Sequence, residues 1–81
     1  MSREEKLLKR IESIPSDLTW SELSRFLSSL GYSEKKGSGS RRKFVGEGLP
    51  LISLHEPHNP KIVKKKYILD IVELLKREEL I

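Results

Sequence analysis

Residues 40–55 read SRRKFVGEGLPLISLH, and this stretch decides the fold. Two runs of strand-forming residues flank a Gly-Glu-Gly that continues neither. The pattern predicts a β-hairpin: a strand over 40–45, a tight turn at 46–48 and a returning strand over 49–55. Pro50 has no amide hydrogen to give to a ladder, so the returning strand must start at an unpaired position. Alternation then sorts the side chains between two faces. With Phe44 turned inward, Arg41, Lys43 and Val45 turn outward; with Ile52 and Leu54 inward, Leu51, Ser53 and His55 turn outward. The hairpin therefore puts His55 on one open face with Arg41 and Lys43, in a register that a one-residue slip would reverse.

Working outward, residues 32–36 (YSEKK) read as a short, polar edge strand and residues 37–40 (GSGS) as the turn joining it to the hairpin. Upstream, Leu7, Leu8, Ile11 and Ile14 recur at helical spacing and predict a helix over 2–14, stopped by Pro15. A second helix begins at the capping box Thr19–Glu22. It carries Trp20, Leu23, Leu27 and Leu30 as one stripe with Phe26 at its margin, and ends at Gly31, with Tyr32 folding back. Downstream, residues 56–60 (EPHNP) make a proline-bounded loop. Residues 64–81 then predict a helix buried along Tyr67, Ile68, Ile71, Val72 and Leu75.

The order is α-α-β-β-β-α. It predicts a single α+β domain over 1–81, with a three-stranded antiparallel sheet covered on one face by helices and wet on the other. In the last helix Lys64, Lys65 and Lys66 lead and Glu78 and Glu79 trail, both against the helix dipole.

Eighty-one residues make one small domain with a modest core. Charged residues are 35% of the chain and hydrophobic residues 36%, a globular composition. The absence of cysteine excludes disulfides, thiolate metal sites and cysteine nucleophiles. The charged start MSREEKLLKR has no apolar signal core, and no apolar run approaches membrane-spanning length; a cytoplasmic protein without a membrane partner is expected.

The charge is unevenly spread. Residues 35–66 hold nine basic and two acidic residues, +7, whereas the rest holds seven basic and ten acidic, −3, together the +4 of the chain. A concentrated positive field points to a polyanion such as nucleic acid, or to a merely solvated lysine-rich surface.

Few chemistries fit this inventory. No nucleophile elbow appears, and GSGSRR lacks the spacing of a phosphate-cradling P-loop. His55 and His58, separated by Glu56 and Pro57, fall short of a zinc set, so no metal is expected. Acid–base cleavage of RNA is compatible, because a ribose 2′-hydroxyl attacks its own phosphodiester and needs only a proton acceptor, a proton donor and cations. His55 with Arg41 and Lys43 meets that minimum; otherwise His55 is a strand-end residue bonded to a loop, and His58 a turn residue.

The segments WSELSRFLSSLGY (20–32), GSGSRRKF (37–44), ISLHEPH (52–58) and the lysine-led YILDIVELLKREELI (67–81), in this order, resemble the HicA family of toxin–antitoxin ribonucleases. The likeness spans residues 19–81, with 2–14 as an N-terminal helical extension. It implies a fold like the double-stranded RNA-binding domain, mRNA cleavage without a metal or other cofactor, and neutralisation by a HicB antitoxin. The family's usual triplet is Gly-Ser-His with a catalytic histidine. Here it is Gly39-Ser40-Arg41, followed by His55-Glu-Pro-His58, which resembles a Gly-Ser-Arg branch. The resemblance then implies His55 as the catalytic residue, with Ser40, Arg41, Arg42, Lys43, Lys64, Lys65 and Lys66 as RNA contacts. Without catalysis, the same face suits an RNA-binding module of the same shape, or an interaction domain for an acidic protein.

Overall fold

The computed structural model of the chain describes residues 3–81. They form α1 (Arg3–Glu12), α2 (Trp20–Ser29), β1 (Ser33–Lys36), β2 (Arg41–Val45), β3 (Ile52–His55) and α3 (Lys65–Arg77). The α-α-β-β-β-α order is the one the sequence predicts; Ser2, where the first helix was expected to start, lies outside the described residues.

The three strands form one antiparallel sheet with β2 in the middle. In the β2–β3 ladder Arg41 faces His55, Arg42 faces Leu54, Lys43 faces Ser53 and Phe44 faces Ile52. Phe44, Ile52 and Leu54 are buried, while Arg41, Lys43, Ser53 and His55 are exposed. The alternation read from the hairpin therefore holds, and one face of the sheet is left to water.

The covered face packs on α2, where the Trp20 ring lies tilted against Phe44 with centroids 5.7 Å apart. Leu23, Phe26 and Leu27 of α2 and Ile68, Ile71, Val72 and Leu75 of α3 complete most of the core. Phe26, at the margin of the α2 stripe, is fully buried, and Leu30, at its end, is only half-buried. Helix α1 contributes to the same hydrophobic core, with Leu7 and Ile11 buried in the cluster.

Local chemistry sets the element ends. Thr19 Oγ1 accepts from the Glu22 amide at 3.1 Å and the Glu22 carboxylate accepts from the Thr19 amide, closing the capping box. At the other end of α2 the Tyr32 amide donates to Leu27 O and the Gly31 amide to Ser28 O. Gly31 adopts φ +106°, which this Schellman closure needs and a Cβ opposes. The turn after β2 is equally restrictive. A Cβ on Gly46 would overlap the Leu49 side chain and come within 2.8 Å of the Gly31 carbonyl, so only glycine lets the two turns meet.

Three boundaries differ from expectation by two residues or more. Helix α1 ends at Glu12 rather than residue 14, and Ile14 takes φ +52°. The returning strand starts at Ile52 rather than residue 49. Leu49 closes a turn onto Gly46 O, and the Tyr32 hydroxyl donates to Pro50 O at 2.7 Å, which holds residues 49–51 out of the ladder. Helix α3 ends at Arg77, with Glu78 as C-cap and Glu79 at φ +58°. Lys76 and Arg77 therefore occupy the last turn and suit the dipole; only the lysines at the start oppose it.

Candidate nucleic-acid interface

The open face takes its character from the middle strand. Arg41 and His55 sit directly opposite each other across the β2–β3 ladder, and Lys43 lies on the same face opposite Ser53. On the other side Lys43 faces Lys35 of β1. Like charges directly opposite destabilise a sheet. The exposed Lys35–Lys43 pair therefore costs folding stability and concentrates positive charge on this face. Among the described strand residues that face away from the helices, none is acidic.

His55 is held as well as exposed. Its Nδ1 lies 3.1 Å from Ser40 Oγ, and the Glu56 amide donates to Ser40 O at 2.8 Å, continuing the ladder one step past β3. Ser40 thus contacts the ring through Nδ1 at the very end of the strand, and Nε2 is the ring nitrogen outside that contact.

Arg42 is placed differently from its neighbours. It shares the helix side of the sheet with Phe44 and Leu54, and its side chain is 14% exposed. Its Nε donates to Glu56 Oε1 at 3.0 Å and lies 3.8 Å from Glu34 Oε2; one terminal nitrogen donates to the Gly39 and Arg41 carbonyls. Lys61 Nζ completes the cluster 2.8 Å from Glu56 Oε2. That hydrogen bond from Lys61, reinforced by its charge and by Arg42, holds the Glu56 carboxyl below its ordinary range against the opposing effect of burial. Arg42, expected among the RNA contacts, instead ties the 39–41 turn to the segment after β3. The parity that turns Phe44 inward turns Arg42 inward too.

The segment after β3 is fastened on its far side as well. The Trp20 amide donates to Lys61 O and the Val63 amide to Leu18 O, around an isolated bridge between Thr19 and Ile62. Between this segment, the end of β3 and the start of α3 lies a groove of about 290 Å³. The ring-bearing residues His55, His58, Tyr67 and Pro57 line it, together with the apolar Ile62 and Val63. Ser40, Glu56 and Lys64 add polar groups. Lys64 is the N-cap of α3 and makes no side-chain cap bond; Lys65 and Lys66 follow, exposed, in the first turn.

The structure thus brings Ser40, Arg41, Lys43 and His55 to one end of the open face, with Lys64 in the adjoining groove and Lys65 and Lys66 on the helix that borders it. Three features escaped the sequence reading. Lys35 was legible as the partner of Lys43 once the edge strand was registered. His58, read as a turn residue, shares the groove with His55. Tyr67, assigned to the buried stripe of α3, is half-buried and lines the groove. No local signal announces the last two, because a folded-back loop brings them together.

Among the described residues, no group of three His, Cys, Asp or Glu side chains is arranged to hold a metal ion, and no helix is long and apolar enough to cross a membrane. No family model, curated protein or solved structure matches the chain.

Proposed function

We propose that this chain is a cytoplasmic, HicA-like toxin: a metal-independent endoribonuclease acting on mRNA through a layout like that of double-stranded RNA-binding domains. Its face would be covered and silenced by an acidic, HicB-type antitoxin. The observation that carries the reading is the Ser40–His55 contact at 3.1 Å, on the water-facing side of a sheet, with Arg41 directly opposite. A purely structural strand-end histidine requires neither the cations beside it nor an open face.

The chemistry follows from that geometry. The reaction uses the His55 tautomer whose Nδ1–H donates a hydrogen bond to Ser40 Oγ, so that Nε2 presents a lone pair. Nε2 takes the proton of a ribose 2′-hydroxyl, whose oxygen bonds to the adjacent phosphorus. Arg41 and Lys64 stabilise the negative charge that builds on the phosphorane oxygens. The bond to the 5′-oxygen breaks, and that oxygen takes a proton from His58, the other imidazole of the groove, or from water. The products are a 2′,3′-cyclic phosphate and a 5′-hydroxyl. Lys35, Lys43, Lys65 and Lys66 neutralise flanking phosphates, so affinity falls steeply with salt.

A second reading keeps the RNA and drops the cleavage, and one observation favours it: Gly39-Ser40-Arg41 carries arginine where the resembled family carries its catalytic histidine. A chimeric RNA separates the two. The first reading predicts that a single 2′-deoxy nucleotide at a cut site abolishes that cut and that the remaining products end in cyclic phosphates. Binding at low salt with intact RNA at every pH would leave the second; no RNA binding at low salt would leave a protein-interaction domain.

A further inference from the structure

The groove beside His55 has a composition that phosphate binding does not require. Phosphates need exposed cations and amide groups, and the open face already supplies the cations. The groove is lined by the ring-bearing residues His55, His58 and Tyr67 and by the apolar Ile62 and Val63. Lys66 Nζ lies 5.1 Å from the centroid of the Tyr67 ring, so a cation accompanies the aromatic surface at the start of α3. Rings and apolar side chains beside a basic patch are the equipment for stacking an unpaired base.

Shape favours the same occupant. About 290 Å³ is at the small end of ligand sites, a scale that suits a nucleobase. A duplex does not reach such a recess. Its bases are stacked inside, and A-form RNA offers side chains mainly phosphates and 2′-hydroxyls across a shallow minor groove. The recess is also preformed. The Glu56 amide bonded to Ser40 O, the Glu56–Lys61 ion pair and the Val63 amide bonded to Leu18 O hold its wall in place.

We infer that the groove between the end of β3 and the N-terminus of α3 is a nucleobase site, and that the substrate is single-stranded RNA with one unstacked base inserted against Tyr67 and His58. The inference rests on the proposed RNA reading and deepens it. Although the proposed reading likens the fold to duplex-binding domains, the substrate is not a duplex. Base insertion also sets the register, because a base held in the groove puts the neighbouring ribose and phosphate at His55 and Arg41. The groove thereby serves as a positioning device for cleavage.

The test uses an uncleavable 2′-O-methyl RNA octamer, so that binding is read apart from catalysis. At one salt concentration the single strand binds at least tenfold more tightly than its blunt duplex. Scanning one abasic residue along the strand finds a position that weakens binding about tenfold, the effect of losing one stacked base, with the salt slope unchanged. Tyr67→Ala loses a similar factor and makes the abasic position silent, while Tyr67→Phe retains both. The single-strand comparison and the abasic scan need no variant, so they stand even where Tyr67→Ala fails to fold. Equal or tighter duplex binding, or a flat abasic scan, overturns the base site while leaving the RNA reading intact. Failure of both strands to bind at low salt overturns both.

Discussion

Two charge clusters in this protein are built from the same parts and do different things. In one, Arg10 on α1 donates from Nε to Glu22 Oε2 at 2.8 Å and from a terminal nitrogen to Asp17 Oδ1 at 3.1 Å. In the other, Arg42 on β2 bridges Glu56 and Glu34, and Lys61 shares Glu56. Each arginine fastens a turn to an element distant in sequence. The first cluster is half open to water and reinforces the cap of α2, with His55 and the groove outside its contacts. The second is more deeply placed, with Arg42 and Glu56 side chains only 14% and 15% exposed, and the backbone it fixes carries Ser40 on one side and the groove wall on the other. The lesson is that an ion pair takes its role from the backbone it anchors.

That contrast can be broken by substitution. The largest effect is expected at Arg42. Arg42→Ala strands Glu56 and frees the 39–41 turn, costing about 2 kcal/mol. In urea titrations the stability drop should accompany a fall in RNA cleavage of tenfold or more, measured where the variant is still folded. Lost stability with unchanged cleavage would reduce the second cluster to the status of the first. Thr19→Ala, in the first cluster, removes the cap at a cost of about 1 kcal/mol, a drop in Tm of roughly 4–8 °C. Cleavage at 25 °C should be unaffected, and any loss beyond the unfolded fraction would contradict the division.

Acid sharpens the comparison further. The hydrogen bond from Arg10, with help from Thr19 and against the cost of burial, lowers the Glu22 carboxyl from 4.5 to about 2. A carboxyl depressed in the folded state contributes stability that is complete above pH 4.5 and is lost as the pH falls toward 2. Urea unfolding at stepped pH should show this loss in the wild type, and Arg10→Ala should flatten the Glu22 share of it. A wild type and an Arg10→Ala variant with parallel pH profiles would show that the pair is screened to insignificance. The smallest effect lies outside both clusters. Glu79 holds a left-handed φ of +58° at the end of α3, where the Leu80 amide donates to Leu75 O. Glu79→Gly removes that strain and should raise stability by about 0.5 kcal/mol without touching cleavage.

Much of this was readable from short-range rules. The capping box at Thr19, the glycine closure at Gly31 and the inward set Phe44, Ile52 and Leu54 each follow from spacing and residue type, and so does the shared face of Arg41, Lys43 and His55. What escaped depends on paths that spacing does not encode. The Tyr32–Pro50 hydrogen bond delays the start of β3, and the α3 helix stops before its last glutamates. The segment from Glu56 to Val63 folds back against Leu18 and Trp20, which brings His58 and Tyr67 beside His55. Arg42 is the instructive intermediate case. Its parity pointed inward, but its charge and its neighbours suggested an outward phosphate contact; the parity was the better guide because Glu56 and Glu34 wait on the inner side.

The whole account turns on His55 as the proton acceptor. The direct measurement is the cleavage rate of one single-stranded RNA oligonucleotide in EDTA, comparing the wild type with His55→Ala after both are shown to be equally folded by circular dichroism. The account predicts a wild-type rate at least a hundredfold higher, the usual scale of a general base, with RNA affinity reduced only modestly. Equal rates, including an equal absence of cleavage, would contradict it.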